Sequence, residues 1–296
     1  MNKDAFAGFH PSINFLYFTC VIGFAMFFTH PACLAISLLC ALTYSVYLSG
    51  KKAVRFSLVY MLPMLIFTAL LNPVFNHQGG TILTYLPGGN PLTLESALYG
   101  VAAAGMLVTV IMWFTCYNEV MTSDKIVYLF GRAVPALSLI LSMALRFVPR
   151  FLAQIKVISN AQKCAGRDVP SRNILQKIKH GAKILSILVT WSLENAIETA
   201  DSMKSRGYGL PGRTAFSIFH FDRRDACALV YILSCAAAVI AGAAAGAYHF
   251  RYFPTIKGEW GGAAIFVFAA YFAIGAFPVI INIKEDMAWK YIASKT

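Results

Sequence analysis

Apolar residues gather in seven windows, at about 13–29, 31–49, 54–72, 93–117, 134–149, 226–248 and 260–283. An α-helix rises about 1.5 Å per residue and needs roughly 20 apolar residues to cross the hydrocarbon core of a bilayer. By that measure the first window is marginal and the fifth is too short. His30-Pro31 separates the first two windows, because proline lacks a donor and disfavours helix in the residue before it. Within residues 150–225 the pattern changes from solid apolar runs to amphipathic helical spacing, with Leu152, Ile155 and Ser159 on one face. The pattern predicts an all-α polytopic membrane protein of about six spans, into which a module of two long amphipathic helices is inserted.

Charge orients these spans. Lys51, Lys52 and Arg55 lie between the second and third windows, whereas the stretch from Asn72 to Pro91 carries no lysine, arginine or carboxylate. The former is cytoplasmic and the latter external, because basic loops are held inside. The fourth window then returns to the cytoplasm, where Glu119, Asp124, Lys125 and Arg132 follow. The 134–149 window therefore does not cross. It is expected to lie at the interface or against other helices, with Arg146 and Arg150 snorkelling to water. The last two windows go out and back, leaving Lys284, Lys290 and Lys295 inside, so both termini are expected in the cytoplasm. The expected organisation is four spans in 1–133, an interfacial helix and cytoplasmic module in 134–225, and two spans with a cytoplasmic tail in 226–296. The first window lacks the basic start and cleavage site of a secretory signal, and is read as retained.

Composition agrees with a bilayer environment: 58% of residues are hydrophobic and 13% charged, and mean hydropathy is +0.63, outside the range of ordinary soluble domains. A net charge of +12 suggests nucleic acid in a soluble protein. Here the cations flank apolar spans and no aromatic-and-basic recognition motif accompanies them, so a nucleic-acid partner is not expected.

Half of all charged side chains fall in residues 150–225. Pro149 sits where a helix start tolerates it, and that helix is expected to stop at Gly166. From Ser171, a good cap, a second stretch carries Ile174, Ile178, Ile184, Ile187, Leu188, Trp191 and Leu193 on toward Arg206 and stops at Gly207. Unbroken, roughly 35 residues would span about 50 Å, although Gly181 is a place for it to bend or divide. Glycine after the last turn takes the left-handed conformation that ends a helix, and a basic residue there suits the helix dipole. Arg206-Gly207 thus presents a planar cation at a helix tip, able to pair bidentately with carboxylates or carbonyls. Arg-Gly is also an ordinary cap; the repetition of the device on two stretches favours docking. Glu194, Glu198 and Asp201 share a side of the second helix, where they either pair with the crossing helix or form a solvated face.

Other signals carry little chemistry. Gly207 to Gly212 satisfies G-x-G-x-x-G, but follows a helix, contains Pro211 and opens no strand–turn–helix unit. No phosphate-binding loop of the form G-x-x-x-x-G-K-[ST] occurs, so ATP would be handled by another chain. Seven cysteines and six histidines show no metal-ligand spacing, and no cofactor is expected. Glu95 is read as interfacial and not as part of an ion pathway. A membrane-embedded transferase would need convergent acids, bases or metal ligands, and an autonomous secondary transporter would need repeated broken helices. Neither pattern is evident.

The run Leu145-Arg146-Phe147-Val148-Pro149, the end Ala161-Gln162-Lys163-Cys164-Ala165-Gly166 and the stretch Ala200-Asp201-Ser202-Met203-Lys204-Ser205-Arg206-Gly207-Tyr208 resemble the coupling region of T components of energy-coupling factor (ECF) transporters, the EcfT/CbiQ-like family. Asn72-Pro73, Leu92-Thr93 and Glu95 also lie where related chains have similar residues, and the resemblance covers roughly 10–225. It implies a non-catalytic scaffold in the plasma membrane of a prokaryote. In that family two coupling helices cross and dock Ala-Arg-Gly tips onto a pair of ABC-type ATPases. Closure of the pair then tilts a small membrane substrate-binding subunit that captures a vitamin or metal ion. On this chain Ser205, Arg206 and Gly207 match the second tip, with serine in place of alanine. The first tip, Cys164-Ala165-Gly166, has alanine where the family has arginine. Either Lys163 or Arg167 supplies the cation, with Arg167 preferred, or the tip docks by shape and backbone.

Overall fold

The computed structural model describes residues 4–85, 91–166, 174–208, 210, 219–246, 250–258 and 261–294. In chain order its elements are α1 (Pro11–Phe27), α2 (Pro31–Ser49), α3 (Lys51–Phe56), a π-helical turn (Ser57–Met61), α4 (Leu62–Phe75), β1 (Ile82–Tyr85), β2 (Pro91–Thr93) and α5 (Leu94–Val120). They continue with α6 (Ser123–Ala133), α7 (Pro135–Cys164), α8 (Ile174–Ser205), α9 (Arg223–Ala244), β3 (Phe250–Arg251), β4 (Lys257–Gly258) and α10 (Gly262–Ala293). The chain forms two compact units, Met1–Thr122 with Phe219–Thr296, and Ser123–Ile218.

Among the described residues, five helices are long and apolar enough to cross a membrane: Pro31–Ser49, Lys51–Phe75, Leu94–Val120, Arg223–Ala244 and Ala264–Ala293. The Pro11–Phe27 helix is apolar but has 17 residues, so the expected count of six is matched only roughly. Shortness does not leave α1 at the edge. Ile13, Tyr17, Phe18, Val21 and Ala25 are buried along one face, while Phe15, Thr19 and Met26 on the opposite face are exposed. It packs against α5, α9 and α2. The break before α2 falls where proline placed it, and both helices begin alike. The His10 Nδ1 accepts from the Ser12 N–H at 3.3 Å and the His30 Nδ1 from the Ala32 N–H at 3.1 Å, each with proline at the first helical position.

Apolar transfer offers no driving force between helices in lipid, so close packing and hydrogen bonds must hold them. Around α1 the packing is aromatic. Phe6 meets Tyr17 edge-on at 5.0 Å and Phe277 at 6.0 Å, and Tyr17 meets Trp113 at 6.1 Å. The Trp113 indole N–H donates to Ser37 Oγ at 2.9 Å, joining α5 to α2. Asp4 ties the first residues to two helices, accepting from the Tyr44 hydroxyl at 2.9 Å and from the Asn282 amide.

These bonds define one end of the first unit. Ser49 reaches Glu119 at 3.0 Å, the His10 N–H donates to Asp225 at 3.2 Å, and Tyr47 donates to Asp286 at 2.7 Å. The start of α1, the ends of α2, α5 and α10, and the start of α9 therefore lie together. Arg223, Arg224, Lys284 and Lys290 belong to these segments, and Lys51, Lys52 and Arg55 follow α2 directly in α3. The other end is made of two short hairpins: the Gly80 N–H donates to Pro254 O at 3.2 Å and the Tyr252 hydroxyl to Thr29 O at 2.9 Å. There Glu95, only 3% exposed, accepts from both the Thr81 N–H and the Thr81 hydroxyl. Its role is to anchor β1 to the first turn of α5.

The sequence did not announce these strands, which run two to four residues and lack alternation. The π turn in the Lys51–Phe75 helix and the short helix α6 were also unforeseen. Pro149 does not start a helix. It lies inside the 30-residue α7, so residues 134–149 belong to the same rod as the first amphipathic stretch. A proline inside a helix removes one hydrogen bond, and the continuous helical pattern on both sides outweighs that loss. Gly181 does not divide α8, which runs 32 residues. Ser171, expected to cap it, lies outside the described residues.

Helices α4 and α5 approach at Gly100, where a Cβ would lie 2.6 Å from Ala69 O and 3.0 Å from Asn72 Cβ. A backbone oxygen cannot swing aside. Gly100→Ala is expected to force these helices apart and destabilise the chain by about 1–3 kcal/mol, measured as a lower midpoint of thermal unfolding in detergent.

Candidate functional site

The second unit contains α6, α7 and α8. Its two long helices meet through a polar and aromatic contact. The Arg150 guanidinium lies 5.3 Å from the Trp191 ring centroid and donates to Asn195 Oδ1 at 2.8 Å. Phe151 meets Trp191 edge-on at 6.0 Å. Residues 151 of α7 and 191–195 of α8 stand at similar distances from the ends of their helices, so each arm beyond the contact is about 15–20 Å long at 1.5 Å per residue. The sequence had offered Trp191 as one apolar position and Arg150 as a flanking cation; the pairing required the fold.

Both arms end on a left-handed glycine. At the end of α8 the Gly207 N–H donates to Lys204 O at 3.0 Å and the Tyr208 N–H to Met203 O at 3.1 Å, with Gly207 at φ +76°. This is the paired bonding of a Schellman stop, which needs a residue free to be left-handed. At the end of α7 the Gly166 N–H donates to Lys163 O at 3.0 Å, with Gly166 at φ +70°. Aligning the two glycines sets Ala165 against Arg206, Cys164 against Ser205, and Lys163 against Lys204. Lys163, Cys164, Ala165 and Gly166 are all exposed, as are Ser205 and Arg206, while Gly207 is half-buried. Arg167 lies outside the described residues, as do Gly209 and Gly212 of the G-x-G-x-x-G match.

The flanks of α8 differ. Ile184, Ile187, Leu188 and Trp191 are partly covered. Ile178, Leu185, Val189, Leu193 and Ile197 form a second apolar stripe that is exposed throughout, Ile178 by 67% and Ile197 by 65%. The sequence reading named Ile178, Leu193 and Trp191 together as apolar positions of an amphipathic stretch, and the structure divides them between a partly covered flank and an exposed one. Glu194, Glu198 and Asp201 are exposed and make no ion pair among the described residues, which fits the solvated-face reading.

Apolar helices long enough to span a bilayer, joined in one chain to a helical unit with exposed apolar and cationic surface, define a polytopic membrane protein with an appended helical unit. Residues 10–216 match the family model described as CbiQ, cobalt transport protein, and the chain belongs to that family. Among its relatives are energy-coupling factor transporter transmembrane proteins EcfT. One from Listeria monocytogenes serotype 1/2a (strain 08-5578) is 32% identical over 185 residues, covering 57% of this chain and 68% of the relative. Another, from Streptococcus equi subsp. equi (strain 4047), is 31% identical over 184 residues, covering 58% and 68%. The relative from Lactobacillus helveticus (strain DPC 4571) is 36% identical over 106 residues, and there the match spans 36% of this chain and 38% of the relative.

Two measurements probe the arms. Gly207→Ala places a Cβ in the left-handed region at a cost of about 1–2 kcal/mol, so amide exchange across 202–208 is expected to quicken while that of 185–195 stays slow. A double-mutant cycle of Phe151→Ala and Trp191→Ala should give a coupling of about 0.5–1.5 kcal/mol in unfolding free energy.

Proposed function

We propose that this chain is the transmembrane scaffold of an ECF-type importer in the plasma membrane of a prokaryote, carrying work from partner ATPases to a small membrane subunit that binds a vitamin or metal ion. The chain itself performs no catalysis. The observation that carries the reading is the pair of left-handed glycine stops at the ends of two long, mutually braced helices, each with an exposed lysine in its last turn. A helix hydrogen-bonded along its length transmits displacement, and a stop that fixes its last carbonyls presents one shape to a partner.

In this reading two ABC-type ATPase subunits receive the tips. Ser205, Arg206 and Gly207 form one, and Lys163, Cys164, Ala165, Gly166 and Arg167 the other. The Arg206 fork suits a carboxylate or a carbonyl pair on an ATPase groove. At the first tip, Ala165 takes the position of Arg206, so either Lys163, which matches Lys204, or Arg167 beyond the glycine supplies the cation, with Arg167 preferred. The uncovered stripe Ile178 to Ile197 supports a membrane-embedded partner, because such apolar area is unfavourable in water and matches the surface of another apolar protein. The cations clustered at one end of the first unit support placing that end, the coupling module of 134–225 and both termini in the cytoplasm. Six crossings then follow, Pro11–Phe27 being the shortest of them.

Co-expression with the ATPase pair and the small membrane subunit tests this. A stable complex is expected, and Arg206→Ala should weaken it by about 2–5 kcal/mol, as when one member of a buried charge pair is truncated. Lys163→Ala and Arg167→Ala, compared side by side, should locate the first cation by which of them loosens the complex. Assembly and uptake that survive Arg206→Ala undiminished would remove the docking role.

A further inference from the structure

Outside the proposed docking tips, the first unit holds a groove of about 480 Å³ at its cationic end, between α9 and α10 beside the start of α1. Its floor is a stacked pair, Tyr231 and Phe277, with ring centroids 4.9 Å apart. Small side chains, Ala228 and Ala288, leave the space open, and Arg224, Lys284 and Glu285 stand at the rim. Arg224 is fixed in place: its guanidinium lies 4.4 Å from the Phe9 ring centroid and donates to Gly8 O at 3.3 Å. That leaves most of its five donors for another acceptor. Lys284 is exposed and has no polar partner among the described residues. The remaining acids nearby are engaged elsewhere: Asp225 accepts from the backbone of His10 and Asp222, and Asp286 from Tyr47.

The geometry points to a binding site for an anionic phospholipid of the leaflet on this side. Basic pockets between membrane helices at the headgroup level hold phosphate-bearing lipids. From Arg224 to Tyr231 the wall descends about 10 Å along α9, so a phosphate between Arg224 and Lys284 leaves an acyl chain lying over the Tyr231 and Phe277 rings. A water-soluble anion would leave that apolar floor uncovered. Glu285 disfavours a second phosphate and accepts a hydroxyl, which fits a glycerol headgroup. The bound lipid would brace α9 against α10, independently of whether the tips of α7 and α8 dock ATPases.

Native mass spectrometry of the full chain, released from detergent containing equal phosphatidylglycerol and phosphatidylcholine, tests the assignment. Preferential retention of one phosphatidylglycerol per chain is expected, and Arg224→Gln with Lys284→Gln should reduce it about thirtyfold, at about 1 kcal/mol for each cation. Ala288→Trp fills the groove from an exposed position and leaves both cations in place, so it should abolish retention in a chain that still unfolds at the parent temperature. Equal retention of the two lipids, or undiminished retention in a folded Ala288→Trp chain, overturns the site. Displacement of the lipid by millimolar inorganic phosphate alone would show a free-anion site and overturn the lipid assignment.

Discussion

A chain this apolar must satisfy its backbone hydrogen bonds internally, and that constraint shapes everything else here. No water reaches the hydrocarbon core, where an unpaired N–H or C=O costs several kcal/mol. The solution is helices, broken where the backbone can be paired by other means. His10 and His30 supply ring nitrogens to orphan amides at two helix starts. Asp222 and Asp225 pair reciprocally at a third. At the far end the hairpins pair with each other, and Glu95 takes up the Thr81 amide.

Once the helices exist, their association rests on fit. Gly100 admits the backbone of α4, Gly275 lies against Cys40, and Gly242 against Val267. Between these close approaches, aromatic side chains fill the interior around α1, and a few polar residues fix which ends meet. Asp4 is the clearest case, since its carboxylate joins the amino-terminal segment to α2 and α10 at once. Cations then collect at the end where these contacts lie, which is the end expected to face the cytoplasm.

The second unit is governed by different needs. Its helices leave a large share of their apolar side chains exposed, and α8 has no fully buried residue among those described. Stability here comes from the backbone of each rod and from contacts between helices, among them Arg150 and Phe151 of α7 against Trp191 and Asn195 of α8. Such a unit is stiff along its helices and incomplete on its surface, and the proposed transmission role rests on those two properties.

The sequence by itself determined the helical class, the break at His30-Pro31, the side on which charge collects and the two glycine stops. Each of these depends on local chemistry: apolar run length, the missing proline donor, or the tolerance of glycine for positive φ. It also singled out Lys163, Cys164, Ala165, Ser205 and Arg206, whose roles as tips rest on family likeness. Local chemistry misjudged Pro149, because a proline's preference for a helix start yields when the helical pattern continues past it. Only the tertiary structure decided that the shortest apolar helix buries one whole face among its neighbours, that Arg150 meets Trp191 across 40 intervening positions of chain, and that α8 keeps one apolar face partly covered and another open. Those outcomes depend on which surfaces meet, and a linear pattern records that a face is apolar without recording what covers it.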